Sequence, residues 1–218
     1  MTKDELIQIT GGVTKTSKMP CASYSIPARV CNSGGKIAQE FPDSICAKCY
    51  ARKGFYGFPV VKQAQERRLQ ALSHPKWTEA MIELIRMNTK KVKYFRWHDS
   101  GDLQSVQHFD NIVEIARALP DVTFWLPTKE MQMVVKQSVH SDNLPSNLIV
   151  RVSLSFTDTL PDDDAKGLFA TTHSSGGIAA SDSWKNVWMC PAYKNEGSCG
   201  TCRACWNPKV KTVSYKVH

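Results

Sequence analysis

Four of the eight cysteines fall within sixteen residues near the end of the chain, as Cys190-Pro191 and then Cys199-Gly-Thr-Cys202-Arg-Ala-Cys205-Trp206. Thiolate sulfur is the ligand that soft metals and iron–sulfur clusters take. Three cysteines at successive x2 spacing, with a fourth that precedes a proline, follow the ferredoxin manner of holding a [4Fe–4S] cluster. Zinc is the alternative, although structural zinc more often uses two separated C-x2-C knuckles or mixed Cys/His sets. Trp188, Tyr193 and Trp206 stand beside these cysteines, either as a shield against water or as ordinary core aromatics.

The other four cysteines, Cys21, Cys31, Cys46 and Cys49, lie near the start. Three arrangements are open to them. Cys31, Cys46 and Cys49 could form a second site with Cys21 as its fourth ligand. One or two of the four could instead complete the tail's cluster. Cys21 and Cys31 could also be plain buried thiols, which is common for isolated cysteine. The opening Met1-Thr-Lys-Asp-Glu-Leu has no apolar targeting region, so the expected location is cytoplasmic. Cysteines in that setting read as metal ligands rather than disulfides.

A second group of candidates is polar: Asp99, Asp102, Lys129, Glu130 and Arg151. In parallel α/β folds the working groups collect where strands end, and these residues follow or lie in strand-like runs. Each has a bland alternative. Asp99 and Ser100 suit a turn or a helix cap, and Lys129-Glu130 suits a solvated first helical turn. Arg151 lies in a run that should be buried, and a buried cation needs a partner; Asp99, Asp102 and Glu130 are the nearest candidates. His98 has no second histidine at ligand spacing, so a hydrogen-bonding role is expected.

Periodicity supplies the elements that would position these groups. Residues 1–20 read as a lead-in strand or loop. Residues 21–59 hold many Pro and Gly residues and read as irregular, tied down by thiolate–metal bonds. Val60–Leu72 and Trp77–Met87 carry apolar residues at helical spacing. Strands follow at Val92–Trp97, Val122–Leu126, Leu148–Leu154 and Asn186–Met189, with helices from Val106 to about Leu119 and from Met131 to about Val139. Along the third of these strands Arg151, Ser153 and Ser155 share one side, against Val150, Val152 and Leu154. Asp162-Asp163-Asp164 and Ser174-Ser175-Gly176-Gly177 suggest exposed loops, with a weak strand near Phe169–Thr172. The expected fold is α/β, parallel βαβ units forming a partial, radical-SAM-like β/α barrel. One domain spans 1–218, with an irregular Cys-containing segment at 21–59, a βα core at 60–189 and a cluster-binding tail at 190–206.

At 218 residues, 42% hydrophobic and 22% charged, the chain can bury a substantial core. No apolar run reaches the length of a membrane span. The net charge of +8 permits nucleic acid or another acidic partner. The basic residues are spread out, as on a solvated surface, and no polybasic block occurs.

Cys46-Ala-Lys-Cys49-Tyr50-Ala51-Arg52-Lys53-Gly54-Phe55-Tyr56, Arg96-Trp97-His98-Asp99-Ser100-Gly101-Asp102-Leu103, Trp125-Leu126-Pro127-Thr128-Lys129-Glu130 and Cys199–Trp206 resemble the signatures of a phage family named for "gene product 88". The resemblance covers roughly residues 18–206 and implies a phage origin, a host-cytoplasmic location and a Cys-bound cofactor. A more distant likeness is to radical-SAM proteins. Those have a C-x3-C-x2-C loop after the first barrel strand, and a later strand ending in an acidic motif that holds S-adenosylmethionine. Cys46-x2-Cys49 and the strand ending at His98–Asp102 stand in that order. Cys31, however, lies fourteen residues before Cys46, where those proteins have three. A cluster held by all four tail cysteines would also lack the open iron that their chemistry needs.

The expectation is therefore an iron–sulfur protein, with the cluster on Cys190, Cys199, Cys202 and Cys205 and redox or radical-type chemistry beside Asp99, Asp102, Lys129, Glu130 and Arg151. The alternative is a zinc-stabilised protein that binds nucleic acid or a host protein without catalysis.

Overall fold

Side-chain alternation along the strands decides the architecture. A computed structural model describes residues 1–140, 144–161, 169–175 and 186–217. Its strands are β1 (Thr14–Lys15), β2 (Ala22–Tyr24), β3 (Tyr94–Trp97), β4 (Thr123–Thr128), β5 (Leu148–Thr157), β6 (Phe169–Ser174), β7 (Val187–Met189) and β8 (Thr212–Lys216). Successive side chains point to opposite faces. β3 thus sends Phe95 and Trp97 to one layer, where Phe124 and Leu126 of β4 join them. Tyr94 of β3 and Trp125 of β4 go to the other layer.

The eight strands form one sheet in the order β1-β2-β3-β4-β5-β6-β8-β7. β1 pairs antiparallel with β2, and every other pairing is parallel. The parallel βαβ reading therefore holds for β3, β4 and β5, but the sheet is open. Its edges are β1, of two residues, and β7, of three, and the last strand, β8, is inserted between β6 and β7. The order has ends, so the sheet is not closed into a barrel, and the radical-SAM-like form of the expected partial barrel is not borne out.

The helices are α1 (Lys3–Thr10), α2 (Asn32–Glu40), α3 (Pro59–Ala71), α4 (Trp77–Asn88), α5 (Val106–Ala118) and α6 (Met131–His140). α1 replaces the expected lead-in strand or loop, because Thr2 and Glu5 form a reciprocal capping box at its start. α2 lies within the segment expected to be irregular. α1, α3, α4, α5 and α6 all contribute residues to the larger core, including Leu6, Ala71, Trp77, Phe109 and Val134, against Tyr24, Phe95, Trp97 and Phe124 of the sheet. Removing each large side chain of this kind from water stabilises the fold by about 1.5–3 kcal/mol.

The opposite face is covered by the tail. Trp206 lies edge-on to Trp125 with ring centroids 5.2 Å apart, and its indole N–H donates to the carbonyl of Phe95 at 2.9 Å. The tail thus folds back from the β7 edge across the sheet to β3 and β4. Among the described residues no helix is long and apolar enough to cross a membrane. Asp162-Asp163-Asp164 and Gly176-Gly177 lie outside the described residues.

Candidate functional site

At the carboxyl edge of the sheet, β3 and β4 deliver the predicted polar residues as a tightly bonded group. Asp102 accepts from the Leu103 N–H at 2.8 Å, from the Thr128 hydroxyl at 2.5 Å and from the Lys129 N–H at 2.8 Å. Burial raises its pKa to about 6 in spite of these bonds. The Lys129 ammonium donates to the carbonyls of Ser153 and Leu154 at 3.0 and 2.9 Å. Glu130 accepts from the N–H and the hydroxyl of Ser33, both at 2.8 Å, at the first turn of α2. It is 5% exposed, so the expected solvated helical turn is in fact a buried link between β4 and α2.

Cys31, Cys46 and Cys49 join this group. Cys31 is the N-cap residue of α2, and the Cys49 N–H closes a turn on the Cys46 carbonyl at 3.3 Å. Burial, then Asp102, Cys49 and Cys46, pushes the Cys31 thiol up to about 12. Burial also raises Cys46, and Lys129 is the strongest influence opposing it. Burial lowers the pKa of Lys129, against the pull of Cys46, Asp102, Cys49 and Cys31. The Cys46 sulfur, the Cys31 Cβ and the Lys129 Cδ surround Gly34, all within 4.0 Å of where a Cβ on it would stand.

Asp99 lies beside them in a pocket of hydroxyls. Its carbonyl accepts from Tyr50 at 2.5 Å, and its carboxylate accepts from Tyr56 at 3.1 Å. His98, with a left-handed φ of +54°, follows β3 and packs edgewise on His108 at 5.2 Å. Neither ring nitrogen of His98 has a partner among the described residues, so the expected hydrogen-bonding role is not made by its ring.

The tail forms a separate group. Cys190, Cys202 and Cys205 pack with Cys21 around Trp125, Trp206 and Val213. Cys199 is anchored where its N–H donates to the Lys18 carbonyl at 2.9 Å, and Cys190 where its N–H donates to Ser214 at 2.8 Å. Burial, then Cys199 and Cys202, raises Cys190. Burial also takes Cys21 and Cys205 up to about 12; Cys199 adds to the first, and Cys190 adds to the second. Of the arrangements open to Cys21, the fold places it with the tail and not with Cys31.

Arg151 departs most from expectation. It is fully buried, yet it does not pair with Asp99, Asp102 or Glu130. Its guanidinium donates to the carbonyls of Ala204, Cys205, Asn207, Val210 and Lys211 at 2.8–3.1 Å. Alternation explains this, because Arg151 projects toward the tail face while Val150 joins the helical core. The polar groups therefore do not all converge on one cleft.

All eight cysteines are free thiols. Burial raises the thiols of Cys21, Cys31, Cys46, Cys190, Cys199 and Cys205, and a thiol held protonated is a poor nucleophile at neutral pH. Among the described residues no group of three or more His, Cys, Asp or Glu side chains already stands in metal-holding geometry, so either thiol set would have to draw together on binding. Arg96, Tyr50 and Tyr56 were missed in the sequence. The aromatic-basic run Arg52-Lys-Gly-Phe-Tyr56 was a visible signal for the tyrosines. Arg96, stacked 4.3 Å over Trp125, was visible only as the polar member of an alternating strand.

No curated protein matches the chain, and no solved structure does. The profile of one family, described as Gene product 88, matches residues 2–208. Neither this match nor the open sheet supports the radical-SAM likeness. The match spans nearly the whole sequence and takes in both thiol sets, and the chain belongs to the gene product 88 family.

Proposed function

We propose that this chain is an iron–sulfur protein in which Cys190, Cys199, Cys202 and Cys205 hold a [4Fe–4S] cluster for redox chemistry. The observation that carries the reading is the packing of Cys190, Cys202 and Cys205 with Cys21 around Trp125 and Trp206 on the tail face. Cys199, anchored to Lys18, supplies the remaining thiol. When bound, such a cluster supplies one-electron transfer. The chain's own residues do the rest. Trp125 and Trp206 limit water. Arg151 fixes the backbone at Ala204 and Cys205. Arg96 and Arg203 oppose the rise in the pKa of Cys21 and Cys199, so they offset the negative charge that four thiolates bring.

Anaerobic reconstitution of the full chain with iron and sulfide tests this. The expected result is brown protein whose visible absorption bleaches on reduction and whose reduced form gives an EPR signal. Cys199→Ser/Cys202→Ser is expected to lose the tail cluster's share of both. Colourless protein that retains stoichiometric zinc after the same treatment would overturn the reading.

A further inference from the structure

Three cysteines are left over from the tail, and they lie at the other functional edge of the sheet. Gly34, in the first turn of α2, shows how they are arranged. A Cβ at that position would stand 3.3 Å from the Cys46 sulfur, 3.4 Å from the Cys31 Cβ and 4.0 Å from the Lys129 Cδ. Gly34 does not adopt a left-handed φ, so the backbone does not require glycine there. Inside a helix glycine costs about 1 kcal/mol relative to alanine. The gain is the open space between Cys31, Cys46 and Lys129. Gly35 next to it has nothing within 4 Å of its own Cβ position, so the crowding is specific to the side that faces the thiols.

We infer that Cys31, Cys46 and Cys49 form a second metal centre, a three-thiolate site for a soft metal, as an ion or an iron–sulfur cluster, with one coordination position open to an outside ligand beside Lys129. Soft metals prefer thiolate, and sites that act on ligands, unlike structural ones, keep a position free. The other candidate ligands are held in place by contacts of their own. Both Asp102 oxygens accept hydrogen bonds, both Glu130 oxygens bind Ser33, and Cys21 packs with the tail. The amino end of α2 at Cys31 favours negative charge there, and the Lys129 side chain lies beside Cys46 at Gly34. On binding, each ligating thiol gives its proton to solvent.

The inference does not rest on the tail reading, and the two can fail separately. Full-length chain is loaded anaerobically with iron and sulfide in one arm and with zinc in another, and metal per chain is counted. Wild type is expected to hold two centres. Cys31→Ser/Cys46→Ser/Cys49→Ser is expected to lose one and to keep the spectrum that depends on Cys199 and Cys202. Gly34→Ala keeps all eight thiols and is expected to weaken the same centre by on the order of 10-fold. It decides the matter if the triple variant does not fold. Undiminished metal in the triple variant, or unchanged affinity in a folded Gly34→Ala variant, overturns the inference and leaves the tail reading intact. Loss of the only centre in the triple variant, with none lost in Cys199→Ser/Cys202→Ser, overturns the tail reading instead. With cobalt(II) as the bound ion, azide is expected to shift the visible bands of wild type and to leave those of the triple variant unchanged. No shift in wild type overturns the open position.

Discussion

The side-chain Nε of Arg151 donates to the backbone carbonyl of Cys205 at 2.9 Å, from the middle of β5 to the last cysteine of the tail. Four more carbonyls between Ala204 and Lys211 share the same guanidinium. The planar fork of arginine can serve several acceptors at once, and the compact ammonium of lysine cannot. Arg151→Lys is therefore expected to lose about 2–3 kcal/mol, and Arg151→Met about 3–5 kcal/mol, because buried acceptors are left without donors. Urea unfolding midpoints measure both. A loss below about 1 kcal/mol in Arg151→Met would show that the tail is held by other contacts.

This relationship also marks the limit of what the sequence carries. β3, β4 and β5 and the helices α3–α6 were legible, because alternation and helical spacing are local patterns. Lys129 and Glu130 directly follow β4, and Asp102 follows β3 after a short turn. The partners of Arg151 were not legible, since backbone carbonyls carry no residue-type signal and lie more than fifty positions away. Cys21 was ambiguous because its face is set by β2, a strand of three residues, too short for a period to show. α2 was hidden by Gly34-Gly35, which read as punctuation until the neighbouring sulfur gave Gly34 a reason. α1 carries a local signal as well, since Thr2-x-x-Glu5 is a capping-box pattern.

Glu130 is expected to act as an anchor for α2. Its carboxylate accepts two bonds from Ser33 at 2.8 Å, at the helix end where negative charge is favoured. Glu130→Ala should cost about 1–3 kcal/mol and speed amide exchange across residues 32–40. Glu130→Gln should fall between wild type and alanine. Unchanged exchange in α2 of the alanine variant would remove this role.

Gly101 joins the exits of β2 and β3. Its φ is +83°, and an added Cβ would lie 2.3 Å from the Ile26 Cγ1 and 2.8 Å from the Ile26 carbonyl oxygen. Ile26 and Ser100 are meanwhile bonded to each other through the Ile26 N–H and the Ser100 hydroxyl, both at 3.0 Å. Gly101→Ala must therefore distort both the backbone and a fully buried neighbour. A loss of about 2–4 kcal/mol is expected, read as a fall in thermal midpoint. A variant as stable as wild type would show that the two loops can separate without cost.

The buried histidines predict the acid response. Burial lowers His108 from 6.5 to about 3, and burial, His108 and Arg96 lower His98. The folded chain keeps both neutral, while the unfolded chain protonates them below pH 6.5. The stability that His108 contributes is thus full above that pH and is lost as pH falls toward its folded value, by about 1.4 kcal/mol per pH unit, and His98 acts in the same direction. Asp102 acts with opposite sign. Its folded pKa of about 6 lies above the ordinary 3.8, so its contribution is full at low pH and lost as pH rises through that interval. Between about pH 4 and 6 His108 and Asp102 therefore oppose each other with similar slopes, and His98 adds to the histidine side. His108→Phe keeps an aromatic ring against Trp77 and removes one histidine, so the difference in slope between wild type and variant should be about 1.4 kcal/mol per pH unit. Urea unfolding of metal-free chain across that range measures it, and parallel curves for the two proteins would show that His108 is protonated in the folded chain.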